Sequence, residues 1–215
     1  MTKRFFSFAV ALASLVLTCS AAGAHPHVWV TVKSEIVYAP DGSVTGVRHA
    51  WTFDDMFSAF ATQGLDQKTK GSFTREELAP LAEENAKGLK EFNYFTFAKA
   101  DGKKTPFTDP VDYWFEYAND VLTLHFMLPL KTPAKAQTLD VDVYDPTFFV
   151  AFSFADKDPV ALAAAPPQCT FAFNGPPEMA SAAQGQPLGE AFFNQLDASA
   201  NWGAQFASKI SVKCP

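Results

Sequence analysis

His27-Val28-Trp29-Val30-Thr31-Val32-Lys33 repeats with a period of two, and that alternation decides the fold. Val28, Val30 and Val32 point one way, while His27, Trp29, Thr31 and Lys33 point the other. Such a pattern predicts a half-buried strand running to about Tyr38. Asp41-Gly42 supplies a hairpin turn. The next strand is expected from Val44 to Phe53, with Val47, His49, Trp51 and Phe53 sharing a face.

Beyond Phe53 the period changes. A short helix is expected over Met56 to Thr62, with Asp54 in the position of an N-cap. Thr74-x-x-Glu77 reads as a capping box that opens a second helix. In it Leu78, Leu81, Ala82, Ala86 and Leu89 recur at helical spacing, and Gly88 weakens the last turn. Alternation then returns, predicting strands at Phe92–Lys99, Trp114–Tyr117, Val121–Leu130, Thr138–Tyr144 and Phe148–Phe154. Turns fall at Asp101-Gly102 and Asn119-Asp120. Residues 155–168, rich in Ala and Pro, read as a connection to a C-terminal tail. The tail is expected to hold a strand at Cys169–Phe173, a helix over Gly189–Ala198 and a closing strand from Phe206 to Cys214. Strands, two helices, then strands again predict the α+β class: mainly antiparallel sheet with an inserted helical pair. Whether that sheet lies flat or folds into a sandwich is left open by the pattern.

Residues 1–24 have the anatomy of a signal peptide: Lys3 and Arg4, the apolar run Phe5–Leu17, then Ala22-Gly23-Ala24. Cleavage after Ala24 would leave 191 of the 215 residues as one periplasmic domain, 25–215, beginning His25-Pro26-His27. Lipidation at Cys19 is the alternative, and Thr18 is a poor fit to the small residue that such sites carry. Without Lys3 and Arg4 the chain keeps 15 basic residues against 23 acidic ones, a net charge of −8. That surface argues against nucleic acid or anionic lipid as partners. No apolar run of membrane-spanning length follows the leader, so no stable insertion of the mature chain is expected. Cys169 and Cys214 remain as an even pair, and in an exported chain they predict a disulfide tying down the C-terminal strand.

Two histidines beside a new amino terminus are transition-metal chemistry. Pro26 excludes the square-planar amino-terminal site, because proline has no amide proton to lose. The α-amine and imidazole of His25 can instead clamp an ion, with His27 on the same strand face as a third donor. His125 is a candidate for a further ligand: Leu122, Leu124, Phe126 and Leu128 occupy the apolar face of its strand, leaving it on the other. Asp145 and Asp54 are candidates too, although a turn former and an N-cap explain them equally well. His49 is expected in the core with Trp51 and Phe53. Imidazole and amine donors suit zinc, nickel, cobalt and copper alike.

The stretch Asp66 to Glu77 has the outline of an EF-hand loop, with Asp first, Gly71 sixth and Glu77 twelfth. Lys68 and Lys70 stand where oxygen ligands belong, so no calcium is expected. There is no Gly-x-Ser-x-Gly, no Cys–His dyad and no phosphate loop, so hydrolase and nucleotide chemistry lack support.

At His25-Pro26-His27-Val28-Trp29-Val30, Trp51-Thr52-Phe53-Asp54-Asp55-Met56-Phe57 and Tyr144-Asp145-Pro146-Thr147-Phe148-Phe149, the chain resembles an uncharacterised bacterial family. It is the "domain of unknown function 1007" group, often labelled the periplasmic component of an ABC-type transport system. The resemblance spans nearly all of the mature chain. Its members stand beside nickel/cobalt-type permeases, which implies transition-metal handling and a membrane metal permease as partner. A bilobal solute-binding protein needs two comparable lobes, for which 191 residues is short.

Three functions compete. The leading one is a periplasmic accessory protein, not an enzyme, that buffers or delivers a divalent transition metal to a membrane transporter. The second is a copper-dependent oxidase or monooxygenase built on an amino-terminal histidine clamp. The third is a metal-free interaction domain that docks on a permease. The abundant aromatics, 22 Phe, 5 Tyr and 4 Trp, mostly alternate as core positions and do not mark a substrate surface.

Overall fold

The computed structural model describes residues 27–175 and 202–215. The expected leader, His25 and the expected helix Gly189–Ala198 lie outside the described residues. The alternating stretch becomes β1 (Val28–Tyr38), and beyond Asp41-Gly42 it pairs antiparallel with β2 (Val44–Phe53), with Val32 opposite Trp51 and Ile36 opposite Val47. Asp41 shapes the turn by accepting from both the N–H and the hydroxyl of Ser43. The inserted helical pair is α1 (Asp55–Ala61) and α2 (Ala79–Gly88), followed by a 3-10 segment, Leu89–Phe95.

The remaining strands are β3 (Thr96–Ala100), β4 (Lys103–Thr105), β5 (Val111–Ala118), β6 (Val121–Ala134), β7 (Thr138–Val143), β8 (Val150–Phe154), β9 (Val160–Ala163), β10 (Thr170–Asn174) and β11 (Ser208–Lys213). They form two sheets. The first runs β5-β6-β2-β1-β8, with β9 also on β1, and the second runs β10-β11-β7-β3-β4. All pairings are antiparallel except that β8 and β9 run parallel to β1, one after the other along its length.

The sheets pack as a partial sandwich. Ile36, Val47 and Leu130 of the first sheet meet Val141, Ile210 and Val212 of the second in one core cluster. Toward the other end the first sheet turns Val30, Trp51 and Leu124 against the helical segment, through Leu78, Ala82 and Phe95. One face of one sheet is thus covered by a sheet at one end and by helices at the other.

Three details differ from the pattern-based expectation. The second helix begins at Ala79 and not at Thr74. Pro80 has no N–H to donate to Glu76, so Ala79 closes a tighter bond to that carbonyl and the regular ladder starts one turn late. The capping bonds form all the same: Glu77 N–H donates to Thr74 Oγ1 at 3.2 Å and Thr74 N–H to Glu77 Oε2 at 2.7 Å. They close the turn before the helix. The expected strand from Phe92 shortens to Thr96–Ala100, because Asn93, Tyr94 and Phe95 all take left-handed φ. The Ala/Pro-rich connection contains β9, which extends the β8 side of β1.

The disulfide joins Cys169 to Cys214. Each cysteine flanks the register pair Thr170 and Lys213, so the bridge ties β10 to the closing strand at its open end.

Candidate functional site

Three of the sequence candidates meet at one end of β1. His27 is exposed just before the strand, its N–H donates to Phe149 O at 2.9 Å, and its ring lies 4.7 Å from the Phe149 ring. Asp54 caps α1 with Oδ1, which accepts from Phe57 N–H at 2.8 Å, while Oδ2 accepts from Trp29 N–H at 2.8 Å. One carboxylate therefore fastens the helix start to the strand start. Asp145 is buried. Its Oδ1 accepts from the N–H and the hydroxyl of Thr147, and its Oδ2 from Val150 N–H at 2.9 Å. It folds the Asp145–Phe149 loop and delivers Val150 to β8. Both aspartates thus do the work of cap and turn former, with donors already on each oxygen.

Gly203 clamps the same loop from outside. Its N–H donates to Pro146 O, and a Cβ added to it would overlap the carbonyl of Asp145. Phe148 packs on Phe206 at 4.5 Å.

The structure does not bring His125 to this place. His125 pairs with Ala50, and Ala50 with Lys33, so it lies level with Lys33, six residues along from His27 and two strands across. At strand spacings that is about 20 Å, far beyond the reach of one ion. Its ring stacks on Trp114 at 4.1 Å with 8° between planes, and Nε2 lies 3.0 Å from Glu116 Oε2. The guanidinium of Arg75 packs against the same indole at 4.7 Å. Among the described residues no group of three or more His, Cys, Asp or Glu side chains is placed to hold a metal ion.

His49 is in the core, as its face predicted, and burial pushes its pKa down to about 3. Its Nδ1 lies 2.9 Å from Ser34 Oγ and its Nε2 3.3 Å from Thr96 Oγ1. The Thr96 hydroxyl already donates to Tyr94 O at 2.9 Å, so it accepts from Nε2–H, and Ser34 donates to Nδ1. In the loop with the calcium-site outline, the backbone N–H groups of Thr74 and Lys68 hold the Glu77 carboxyl below the usual carboxylate range.

Beside the Asp145 loop opens a cleft of about 840 Å³. The first sheet supplies one wall, with Val30, Trp51 and Phe152. The helices supply the other, with Phe57, Phe60, Leu81 and Gly88. Phe92 and Phe149 stand at its mouth, and they and Phe60 are 50%, 45% and 75% exposed. These three are exceptions to the expectation that the aromatics mostly occupy core positions. Alternation and helical period assign a side chain to a face, but they do not say whether that face is filled. Trp51 lines the cleft, and its indole N–H is buried with no acceptor among the described residues. Among the described residues no helix is long and apolar enough to cross a membrane.

Comparison with known proteins finds a family and relatives whose descriptions name no activity. A family profile described as "Protein of unknown function (DUF1007)" matches residues 10–214. An "Uncharacterized protein" of Haemophilus influenzae (strain ATCC 51907 / DSM 11121 / KW20 / Rd) is 25% identical over 196 residues, 89% of this chain and 91% of that protein. An "Uncharacterized 15.5 kDa protein in trpE 3'region" of Spirochaeta aurantia is 34% identical over 98 residues, 45% of this chain and 70% of that one. With its profile matched over almost the whole length, the chain belongs to the DUF1007 family.

Proposed function

We propose that the protein is a periplasmic accessory that binds a divalent transition metal at its histidine end and buffers it or delivers it to a membrane permease. The observation that carries this reading is the position of His27, exposed at the entry to β1 and steadied by the backbone bond to Phe149. In this reading the donors are His25, with its α-amine and imidazole, and His27. Asp54 and Asp145 act indirectly, by fastening the strand start and the adjoining loop. The disulfide suits an oxidising compartment such as the periplasm.

Calorimetry with zinc, nickel and copper tests the proposal on the processed protein and on four variants. His25→Ala and His27→Ala are each expected to lower affinity by orders of magnitude, and one residue added before His25 to weaken it by displacing the amine. His49→Ala is expected to leave affinity unchanged while lowering stability. Unchanged affinity in both terminal histidine variants overturns the reading and leaves the metal-free interaction domain ahead.

One observation favours the copper oxidase as a second reading. Phe149 both stacks with His27 and lines the apolar cleft, so a copper ion held at the histidine end would adjoin a pocket for an organic substrate. Copper-dependent consumption of oxygen and reductant distinguishes the enzyme from the carrier.

A further inference from the structure

We propose that one pole of the sandwich, carrying Lys99, Lys103, Lys104, Lys131, Lys135 and Lys213, docks by charge on an anionic phospholipid surface.

Strand register brings the six together. Lys99 stands directly opposite Lys104, and Ala100 opposite Lys103, across the Asp101-Gly102 turn. Lys131 N–H donates to Pro106 O, just beyond β4. Lys135 follows the end of β6, where Ala134 pairs with Val44 beside the β1–β2 hairpin. Lys213 pairs with Thr138 at the start of β7, and Asp101 N–H donates to Thr138 O, which draws the lysine hairpin to the same place. All six residues are exposed. The pole lies at the far end of β1 from His27.

Folding alone does not account for the cluster. Like charges directly opposite on paired strands repel, and among the described residues none of the six makes an ion pair. The carboxylates nearby are engaged by their own turns and strands: Asp41 by Ser43, Asp101 by Gln137 and Thr138, and Asp140 by the Ser211 hydroxyl. Lysines on an edge strand such as β4 guard it against pairing with another chain. Lys99, Lys131 and Lys213 stand on strands with a neighbour on each side, so edge protection leaves them unexplained.

The residue type points to the partner. Protein interfaces favour Arg, whose planar fork pairs with fixed carboxylates, and are depleted in Lys. Here all six cations are lysines, while Arg48 is paired with Glu35 and Arg75 rests on Trp114. Long, mobile ammonium groups suit a fluid layer of headgroups, where each adds to the attraction without a fixed geometry.

The chain's net charge of −6 opposes such docking only if the surface is taken as an average. At physiological ionic strength fields are screened over about 8 Å. The 11 residues of β1 span about 36 Å between the two ends. A headgroup layer touching this pole therefore meets the lysines and not the carboxylates of the helical segment. The proposal does not rest on the metal reading, since it uses no residue of the histidine end.

The test is cosedimentation of the purified protein with vesicles of equal parts phosphatidylglycerol and phosphatidylcholine, in about 0.1 M salt. Binding is expected there and not to phosphatidylcholine alone, and it should vanish at about 1 M salt, where screening shortens to about 3 Å. Lys103→Gln, Lys104→Gln and Lys131→Gln together are expected to weaken binding about tenfold or more, with the melting temperature level or higher. Lys68→Gln, Lys70→Gln and Lys87→Gln, an equal loss of charge at exposed positions elsewhere, are expected to leave it unchanged. No binding to the anionic vesicles, or equal binding to neutral ones, overturns the proposal. So does equal weakening in both triple variants, which makes net charge and not this pole the cause. Poly-glutamate at matched charge is expected to displace the protein only in part. Complete displacement overturns the lipid assignment and gives the pole to an acidic protein.

Discussion

His49 Nε2, on β2 of the first sheet, lies 3.3 Å from Thr96 Oγ1, on β3 of the second, so a buried imidazole joins the two layers of the sandwich. The unfolded chain takes up the His49 proton near pH 6.5 and the folded chain only near pH 3. Stability is therefore complete above pH 6.5 and falls as the pH drops below it, by about 1.4 kcal/mol for each unit. Between pH 6.5 and 4.5 this loss is read apart from the exposed carboxylates, such as Asp41 and Glu77, whose lowered pKa values act at more acid pH. Urea unfolding at half-unit steps is expected to show the slope. His49→Gln should flatten it while lowering stability throughout.

Cys169→Ser with Cys214→Ser is expected to cost roughly 4 kcal/mol, the loop-entropy figure for a sequence separation of 45. Chemical unfolding of native and double-variant protein measures it. The same loss should follow when the native protein is reduced, and thiol labelling of unreduced, denatured protein should find both cysteines blocked.

Asp54→Asn separates anchoring from metal binding. Both carboxylate oxygens accept from backbone N–H groups, and an amide offers one oxygen and one NH2 that faces a donor. A loss of about 1–2 kcal/mol is expected. Metal affinity per folded molecule should be unchanged, and a fall comparable to that of His27→Ala would make Asp54 a ligand.

Asn93 opens three consecutive left-handed residues, with φ 50°, 56° and 47° at Asn93, Tyr94 and Phe95. Asn tolerates this region better than other residues with a Cβ. Asn93→Gly is expected to be neutral within about 0.5 kcal/mol, and Asn93→Val to cost about 1–2 kcal/mol by thermal unfolding.

Much of this fold can be read from local pattern. Alternation located β1, β2 and β6, the capping box located the turn ahead of α2, and Cys169 and Cys214 were expected to pair. What escaped depends on partners distant in the chain. β9 has only the residues Val160–Ala163, and its pairing with Ser34–Val37 leaves no local sign. The face of His125 was legible, but its row was not, because the row follows from two successive strand registers. The cleft escaped for a related reason: Phe60, Phe92 and Phe149 come from three separate segments, and only the folded chain brings them to one lining.

The place of β1 in the first sheet sets the order in which the molecule can be completed. One edge of β1 is satisfied by β2, its neighbour in sequence, while the other waits for β8 and β9, which begin at Val150 and Val160. A ribosome releases the chain amino terminus first, so the meander β1-β2-β6-β5 can form while that edge still presents unpaired amides and carbonyls. Parallel pairing across more than 100 residues is slow. During synthesis the nascent protein thus carries an open strand edge that another copy could occupy, and a holding chaperone has a defined target until residues 150–163 arrive.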